Sequence, residues 1–185
     1  FETGASFAAN GWTVVNDANN RWYVVTAAVG AGTRGVYGDK NATAGTTNTY
    51  NNGAENTGHF YRDIAIPTGG TNITLSFLLK GIGEAGFDRL LVYTAPTTVT
   101  PTAGVPVQRS TVFSGATLVF TQTTTISNFT SQTVILPNSL AGTTVRLIFT
   151  WQNDDNTGNN PPAAVDNISL TYTPACTVSV APTGA

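Results

Sequence analysis

Residues 144–151 have the sequence Thr144-Val145-Arg146-Leu147-Ile148-Phe149-Thr150-Trp151. Every second side chain in this segment, beginning at Val145, is apolar, which is the pattern of a β-strand with one buried face. Residues 72–80, with the sequence Asn72-Ile73-Thr74-Leu75-Ser76-Phe77-Leu78-Leu79-Lys80, show the same alternation. Both segments therefore predict strands that line a hydrophobic core.

Seven further runs are rich in strand-forming residues and are separated by clusters of Gly, Pro, Asn and Asp. They span residues 12–15, 21–26, 60–66, 89–93, 117–123, 132–136 and 164–172. No stretch shows a helical period of convincing length. About nine strands without crossover helices predict an all-β fold, a two-sheet antiparallel β-sandwich of the jelly-roll kind.

Two long loops, Asp39 to Gly58 and Ala95 to Gly115, interrupt the predicted strands, and loops of this length are usually functional or mobile. The segment from Pro174 onward resembles a linker. We therefore expect one sandwich module over residues 1–173, followed in 174–185 by a linker or the start of an immunoglobulin-like domain. Cys176 is the only cysteine, so the chain predicts neither an internal disulfide nor a cysteine-based metal cluster.

The composition excludes several classes of partner and activity. The chain has a formal net charge of −2 and only 8 Lys and Arg, scattered singly, which disfavours binding to nucleic acid or to an anionic membrane. No window holds the ~20 apolar residues of a spanning helix, so membrane insertion is not expected. His59, the only histidine, has no nucleophile motif beside it and predicts a strand-edge side chain. We expect a non-catalytic protein.

A metal site is the better supported chemistry. Alternation places Asp166 on the same side as Ile168 and Leu170, and an unpaired carboxylate on a core-facing side is unfavourable. A cation, hydrogen bonds from backbone N–H groups or an arginine such as Arg21 could each satisfy it. Glu2 is a natural second ligand if the first and last strands are neighbours. Because oxygen-only ligation suits Ca²⁺, the sequence predicts a structural calcium ion.

Asp39, at the start of the first long loop, is a third candidate ligand for this ion. The loop 153–160 also carries the oxygen atoms of a calcium site, but it lacks the EF-hand spacing, and a solvated turn is the alternative. Its Asp154 and Asp155, together with Tyr37 and Tyr50 beside the first long loop, are the candidate ligand-binding residues. The two tyrosines could act as sugar platforms or as ordinary loop anchors.

The sequence contains several short motifs: Phe1-Glu2, Gly11-Trp12, Arg21-Trp22, Leu75-Ser76-Phe77, residues 141–147 and the ending at residues 158–168. Together they resemble the MAM-like jelly-roll modules, and most of all the bacterial cleaved-adhesin or choice-of-anchor J domains of large Bacteroidetes-type surface proteins. The resemblance implies a jelly roll in a multidomain exported protein. It also implies that the opening acid and the Asp before the last strand, which match Glu2 and Asp166, help to bind a cation.

These observations lead to three functional hypotheses. The first is an extracellular adhesion or binding module that holds a glycan or a protein surface through loops at one end of the sandwich, next to other domains of the same chain. The second is a structural spacer in a long surface adhesin. The third is an accessory domain of a secreted hydrolase.

Overall fold

The computed structural model describes residues 1–27, 29–41, 47–104 and 114–176. These residues form ten strands: β1 (Thr13–Val15), β2 (Arg21–Val25), β3 (Gly35–Asp39), β4 (Asn56–Ala65), β5 (Thr71–Gly81), β6 (Arg89–Pro96), β7 (Thr117–Thr121), β8 (Ile126–Ile135), β9 (Thr144–Asn153) and β10 (Ala164–Thr173). Two one-turn 3₁₀ helices, Ala8–Asn10 and Asn138–Leu140, complete the regular structure in these ranges. None of the described helices is long and apolar enough to span a bilayer.

The strands form two five-stranded antiparallel sheets. The first sheet has the order β1-β4-β9-β6-β7 and the second has the order β2-β3-β10-β5-β8. Apolar side chains of both sheets meet in one core, where Phe60 and Phe149 stack with their ring centroids 4.9 Å apart and Phe77 lies edge-on to Phe149. The predicted two-sheet jelly-roll sandwich is confirmed.

Residues 72–80 and 144–151 form strands with one core-facing side, as their alternating sequences predict. Leu75, Phe77 and Leu79 of β5 are buried in the core, and so are the alternate apolar residues of β9 that end at Trp151. Trp12 is buried there as well. The periodicity of two therefore identifies the core-facing side of both central strands.

The sequence did not predict β3. Its sequence, Gly-Val-Tyr-Gly-Asp, contains two glycines, a residue type depleted in strands, yet all five residues are buried between β2 and β10. As a result Asp39 ends a strand rather than beginning a loop. The first long connection is also shorter than predicted because β4 begins at Asn56.

The outer face of the first sheet is largely buried. Residues 97–104 cross it: Val99 O accepts a hydrogen bond from Arg146 Nη1 at 2.8 Å, and Gly104 N donates to Thr57 O at 2.9 Å. His59 is 0% exposed on this face and pairs with β1 on one side and β9 on the other. The prediction that His59 lies at a strand edge is therefore wrong.

A β-bulge in β10 decides where Asp166 points. Asp166 lies opposite Leu78 and Ser169 lies opposite Ser76, so β10 uses one extra residue at this point, and Asn167 has a φ of 51°. Leu79 faces the core, so its neighbour Leu78 and the opposite Asp166 face outward. The prediction that Asp166 shares the core-facing side with the apolar residues after it is wrong, because the bulge reverses the alternation.

Candidate functional site

Glu2 and Asp166 both bind the segment formed by residues 30–34. Asp166 Oδ2 accepts hydrogen bonds from the backbone N–H groups of Gly30 and Ala31, each at 2.9 Å. Both carboxylate oxygens of Glu2 accept from Thr33 N, and Glu2 Oε1 also accepts from Arg34 N at 3.0 Å. The structure thus ties the chain start and the last strand to one loop.

Backbone N–H groups are the partners that the sequence left open as an alternative for Asp166. The Thr33 hydroxyl and the N–H groups of Arg34 and Thr33 lower the pKa of Glu2 to about 2. Both side chains supply the oxygen atoms that Ca²⁺ prefers, and they meet at one segment, so they fit the predicted ion in kind. The calcium ion itself stays a prediction.

Asp39 does not join this pair. Val165 lies opposite Val36, which places Asp166 level with Gly35, so Asp39 lies four residues or about 13 Å farther along β3. Burial alone would raise the pKa of Asp39, but hydrogen bonds from Asn41, Thr47 and Asn48 outweigh it and hold the pKa below its usual value. Asp39 closes the loop that follows β3 and is not part of the site at Glu2 and Asp166.

Three acidic residues form a second group, which we call the carboxylate cluster: Glu84, Asp88 and Asp154. Carboxylate oxygens of all three lie within 4.8 Å of one another. Asp88 is 2% exposed and accepts hydrogen bonds from Asp154 N at 3.0 Å and from the Tyr50 hydroxyl. Among the described residues, this is the acidic group whose spacing could hold a metal ion.

The surroundings of Asp88 in the carboxylate cluster favour its protonated form. Burial raises the pKa of Asp88 to about 6, and the charges of Asp154 and Glu84 act in the same direction against the hydrogen bonds from Tyr50 and Asp154. Burial and the Asp88 hydrogen bond also raise the pKa of Tyr50, so this hydroxyl keeps its proton. The cluster therefore holds more negative charge than its hydrogen bonds neutralise.

The structure brings together only two of the four predicted ligand-binding residues. Tyr50 and Asp154 both contact Asp88, whereas Asp155 is exposed on the neighbouring turn. Tyr37 is 1% exposed and packs with Ala164, and Tyr50 is 2% exposed and packs on Trp151. Neither tyrosine presents a ring face to solvent. Both therefore fit the alternative that they anchor loops rather than bind sugar.

A third region lies on the outer face of the first sheet, where the side chains of Thr57, Gln152 and Arg89 form a line that we call the polar row. Thr57 pairs with Gln152, and Gln152 pairs with Arg89, so the three side chains lie side by side on one face. Thr57 Oγ1, Gln152 Oε1 and Arg89 Nε are buried without a hydrogen-bond partner in the described part of the chain.

Beyond the polar row, the same face carries paired polar and aromatic groups. His59 Nδ1 lies 2.9 Å from Thr150 Oγ1, and burial lowers the pKa of His59 to about 4, which keeps the ring neutral. Arg146 forms two hydrogen bonds with the Asp63 carboxylate, at 2.7 and 2.9 Å. Its guanidinium also lies 4.2 Å from the ring centre of Tyr61.

Sequence reasoning missed Glu84, Asp88 and the polar row. Asp88 and Asp154 are 66 residues apart, and the polar row draws one residue from each of three strands. No local motif marks either set. A signal existed only in the strand register, which decides which side chains become neighbours.

No protein-family model matches this sequence, and no curated protein matches it. The fold is similar to a solved structure described as the structural basis for the promiscuous specificity of carbohydrate-binding modules from the β-sandwich superfamily, with 16% identity and a TM-score of 0.55. That match covers 91% of this chain and 61% of the other, so this chain spans about three fifths of its length.

Two further solved structures are similar. The CBM22-1 xylan-binding domain of Xyn10C from Paenibacillus barcinonensis is 9% identical with a TM-score of 0.54, over 95% of this chain and 92% of that one. The K2 cleaved adhesin domain of Lys-gingipain is 16% identical with a TM-score of 0.50, over 91% and 94% of the two chains. At these identities the comparisons establish the β-sandwich fold that the strand order already shows.

Proposed function

We propose that this chain is a non-catalytic glycan-binding module whose ligand lies on the outer face of the first sheet. The observation that carries the proposal is the collection of buried hydrogen-bonding side chains on this outward face: Thr57, His59, Arg146, Thr150 and Gln152. Binding sites combine apolar and aromatic surface with a few convergent polar groups. Tyr61, which is partly exposed, supplies aromatic surface on the same face.

The fold supports this proposal because the similar solved structures include a xylan-binding domain and a carbohydrate-binding module. The proposal places the ligand on a sheet face rather than on the end loops, since Tyr37 and Tyr50 are buried. Residues 97–104 cross part of the candidate face and would contact a glycan bound beside them.

The setting of the module is part of the same proposal. The motifs that resemble cleaved-adhesin and choice-of-anchor J domains, together with the fold likeness to the K2 domain of Lys-gingipain, favour an exported, multidomain surface or secreted protein. In that setting the module would attach its parent protein to a glycan outside the cell.

The test is a glycan array followed by affinity electrophoresis in gels that contain soluble xylan, galactan or mannan. We expect the wild-type protein to bind at least one of them. Tyr61→Ala should weaken binding about 3- to 10-fold, the effect of losing one aromatic contact, whereas Tyr61→Phe keeps the ring and most of the affinity.

Tyr172→Ala is the matched control, because Tyr172 is an exposed tyrosine on β10 of the second sheet. It should leave binding unchanged. The proposal fails if the wild-type protein binds no glycan at high micromolar concentration, or if Tyr172 is needed and Tyr61 is not.

A further inference from the structure

The polar row is a group of neighbouring side chains with buried polar atoms that have no hydrogen-bond partner in the described part of the chain, where Asn48, Asn56 and Trp151 carry the other such atoms. Buried polar atoms nearly always have a hydrogen-bond partner, and an exception indicates a ligand, an ordered water or a functional role. Here three exceptions occur in adjacent residues of neighbouring strands, one each from Thr57, Gln152 and Arg89, within the described ranges. Their adjacency indicates one common partner.

We infer that the polar row binds the hydroxyl groups of a neutral sugar, an inference that rests on the glycan-binding function proposed above. Arg89 Nε can only donate a hydrogen bond and Gln152 Oε1 can only accept one. A hydroxyl group does both, so a single sugar hydroxyl bridges the two atoms. A second hydroxyl reaches Thr57 Oγ1, which can donate or accept.

Charged ligands fit the polar row less well. A carboxylate or sulfate group accepts hydrogen bonds only, so it would pair with Arg89 but would be repelled by Gln152 Oε1. An ammonium group would meet the positive charge of Arg89. The row therefore selects neutral hydroxyl-bearing ligands.

Burial across the row shows where the ligand enters. Thr57 is 0% exposed, Gln152 is 5% exposed and Arg89 is half-buried. The Thr57 end is closed by Gly104, whose N–H donates to Thr57 O. The long and flexible Arg89 side chain thus forms the solvent side of the row, and its rotation admits a hydroxyl group to the amide of Gln152.

The experiment compares polysaccharides that differ in charge: hydroxyethyl-cellulose with carboxymethyl-cellulose, galactan with polygalacturonate, and neutral xylan with glucuronoxylan. Affinity electrophoresis measures the binding of each by the full chain. We expect the neutral member of at least one pair to bind about tenfold more tightly than its anionic counterpart. Gln152→Ala should lower that affinity about tenfold, the effect of losing a buried hydrogen bond.

Three further variants sharpen the test. Gln152→Glu should lose at least as much affinity, because the new carboxylate pairs with Arg89 and closes the row. Arg89→Lys keeps the charge but removes the Nε donor, and it should weaken binding to a similar extent even if the Gln152 variants fold poorly. Gln132→Ala, a matched glutamine on β8 of the second sheet, should bind like the wild-type protein.

The outcomes separate the two proposals. Failure of the wild-type protein to bind any of these glycans removes the proposed function and this inference with it. Binding that all Gln152 and Arg89 variants retain leaves the function standing but assigns the row to an ordered water only. A preference for the anionic member of each pair overturns the assignment to a neutral sugar.

Discussion

Two groups of carboxylates lie in contrasting surroundings. Glu2 and Asp166 face the segment 30–34, whose N–H groups point at their oxygens, whereas Glu84, Asp88 and Asp154 face one another. Hydrogen bonds from Thr33 and Arg34 lower the pKa of Glu2 to about 2, whereas burial, aided by the charges of Asp154 and Glu84, raises the pKa of Asp88 to about 6. The comparison shows that N–H donors stabilise the charge of the exposed Glu2, whereas burial beside two other acids makes the charged form of Asp88 unfavourable.

The largest effect should come from removing Asp166. Its side chain is 1% exposed and accepts three backbone hydrogen bonds, from Gly30, Ala31 and Asn167. Asp166→Ala leaves those N–H groups without their charged acceptor, so we expect a loss of about 3 kcal/mol in the free energy of unfolding. Urea denaturation followed by tryptophan fluorescence measures it.

The control for this variant is Asp155→Ala, which removes an exposed carboxylate of the 153–160 loop. It should change the free energy of unfolding by less than about 0.5 kcal/mol. An equal loss of unfolding free energy in the two variants would mean that the hydrogen bonds from segment 30–34 to Asp166 do not stabilise the fold. The proposed contrast between the two groups of carboxylates would then be wrong.

Calcium binding at Glu2 and Asp166 is the next test, and it stays a prediction of the sequence. An ion that binds only the native state stabilises it by about 2.7 kcal/mol when present at 100 times its dissociation constant. We therefore expect EDTA to lower the melting temperature in calorimetry and excess Ca²⁺ to restore it, with no response in Asp166→Asn. An unchanged melting temperature would leave the N–H groups as the only partners of both carboxylates.

Much of the fold follows from alternation, and its failures have local causes. The period of two in residues 72–80 and 144–151 identifies the core side of β5 and β9 because both strands pair along most of their length. The same rule fails at Asn167, since an added residue in one strand is visible only against its partner. It also fails for β3, whose buried surroundings override the low strand propensity of its two glycines.

The candidate sites were less predictable than the fold. The sequence identified Asp166 as a carboxylate that needs a partner, but two of its three N–H donors come from a loop more than 130 residues away in the chain, for which no local pattern exists. The polar row could not be predicted either, because its three residues come from strands that are distant in the sequence. Gln152 becomes significant only when the register places it between Thr57 and Arg89.

The smallest effect should come from Asp88→Asn. The folded pKa of Asp88, about 6, lies above its usual value of 3.8, so the folded chain binds a proton between these values that the unfolded chain does not. Stability from this group is therefore present at pH 4 and lost as the pH rises through 6. Asp88→Asn removes that loss, so it should be more stable than the wild-type protein at pH 8 by an amount on the order of 2 kcal/mol and equally stable near pH 4.

His59 titrates in the same range with the opposite sign. Its folded pKa of about 4 lies below 6.5, so its contribution is lost as the pH falls from 6.5 towards 4. Because both proteins retain His59, the difference between their unfolding free energies isolates Asp88. A difference that does not change between pH 4 and pH 8 would show that burial and the charges of Glu84 and Asp154 do not raise the pKa of Asp88, and that the contrast between the two groups of carboxylates is wrong.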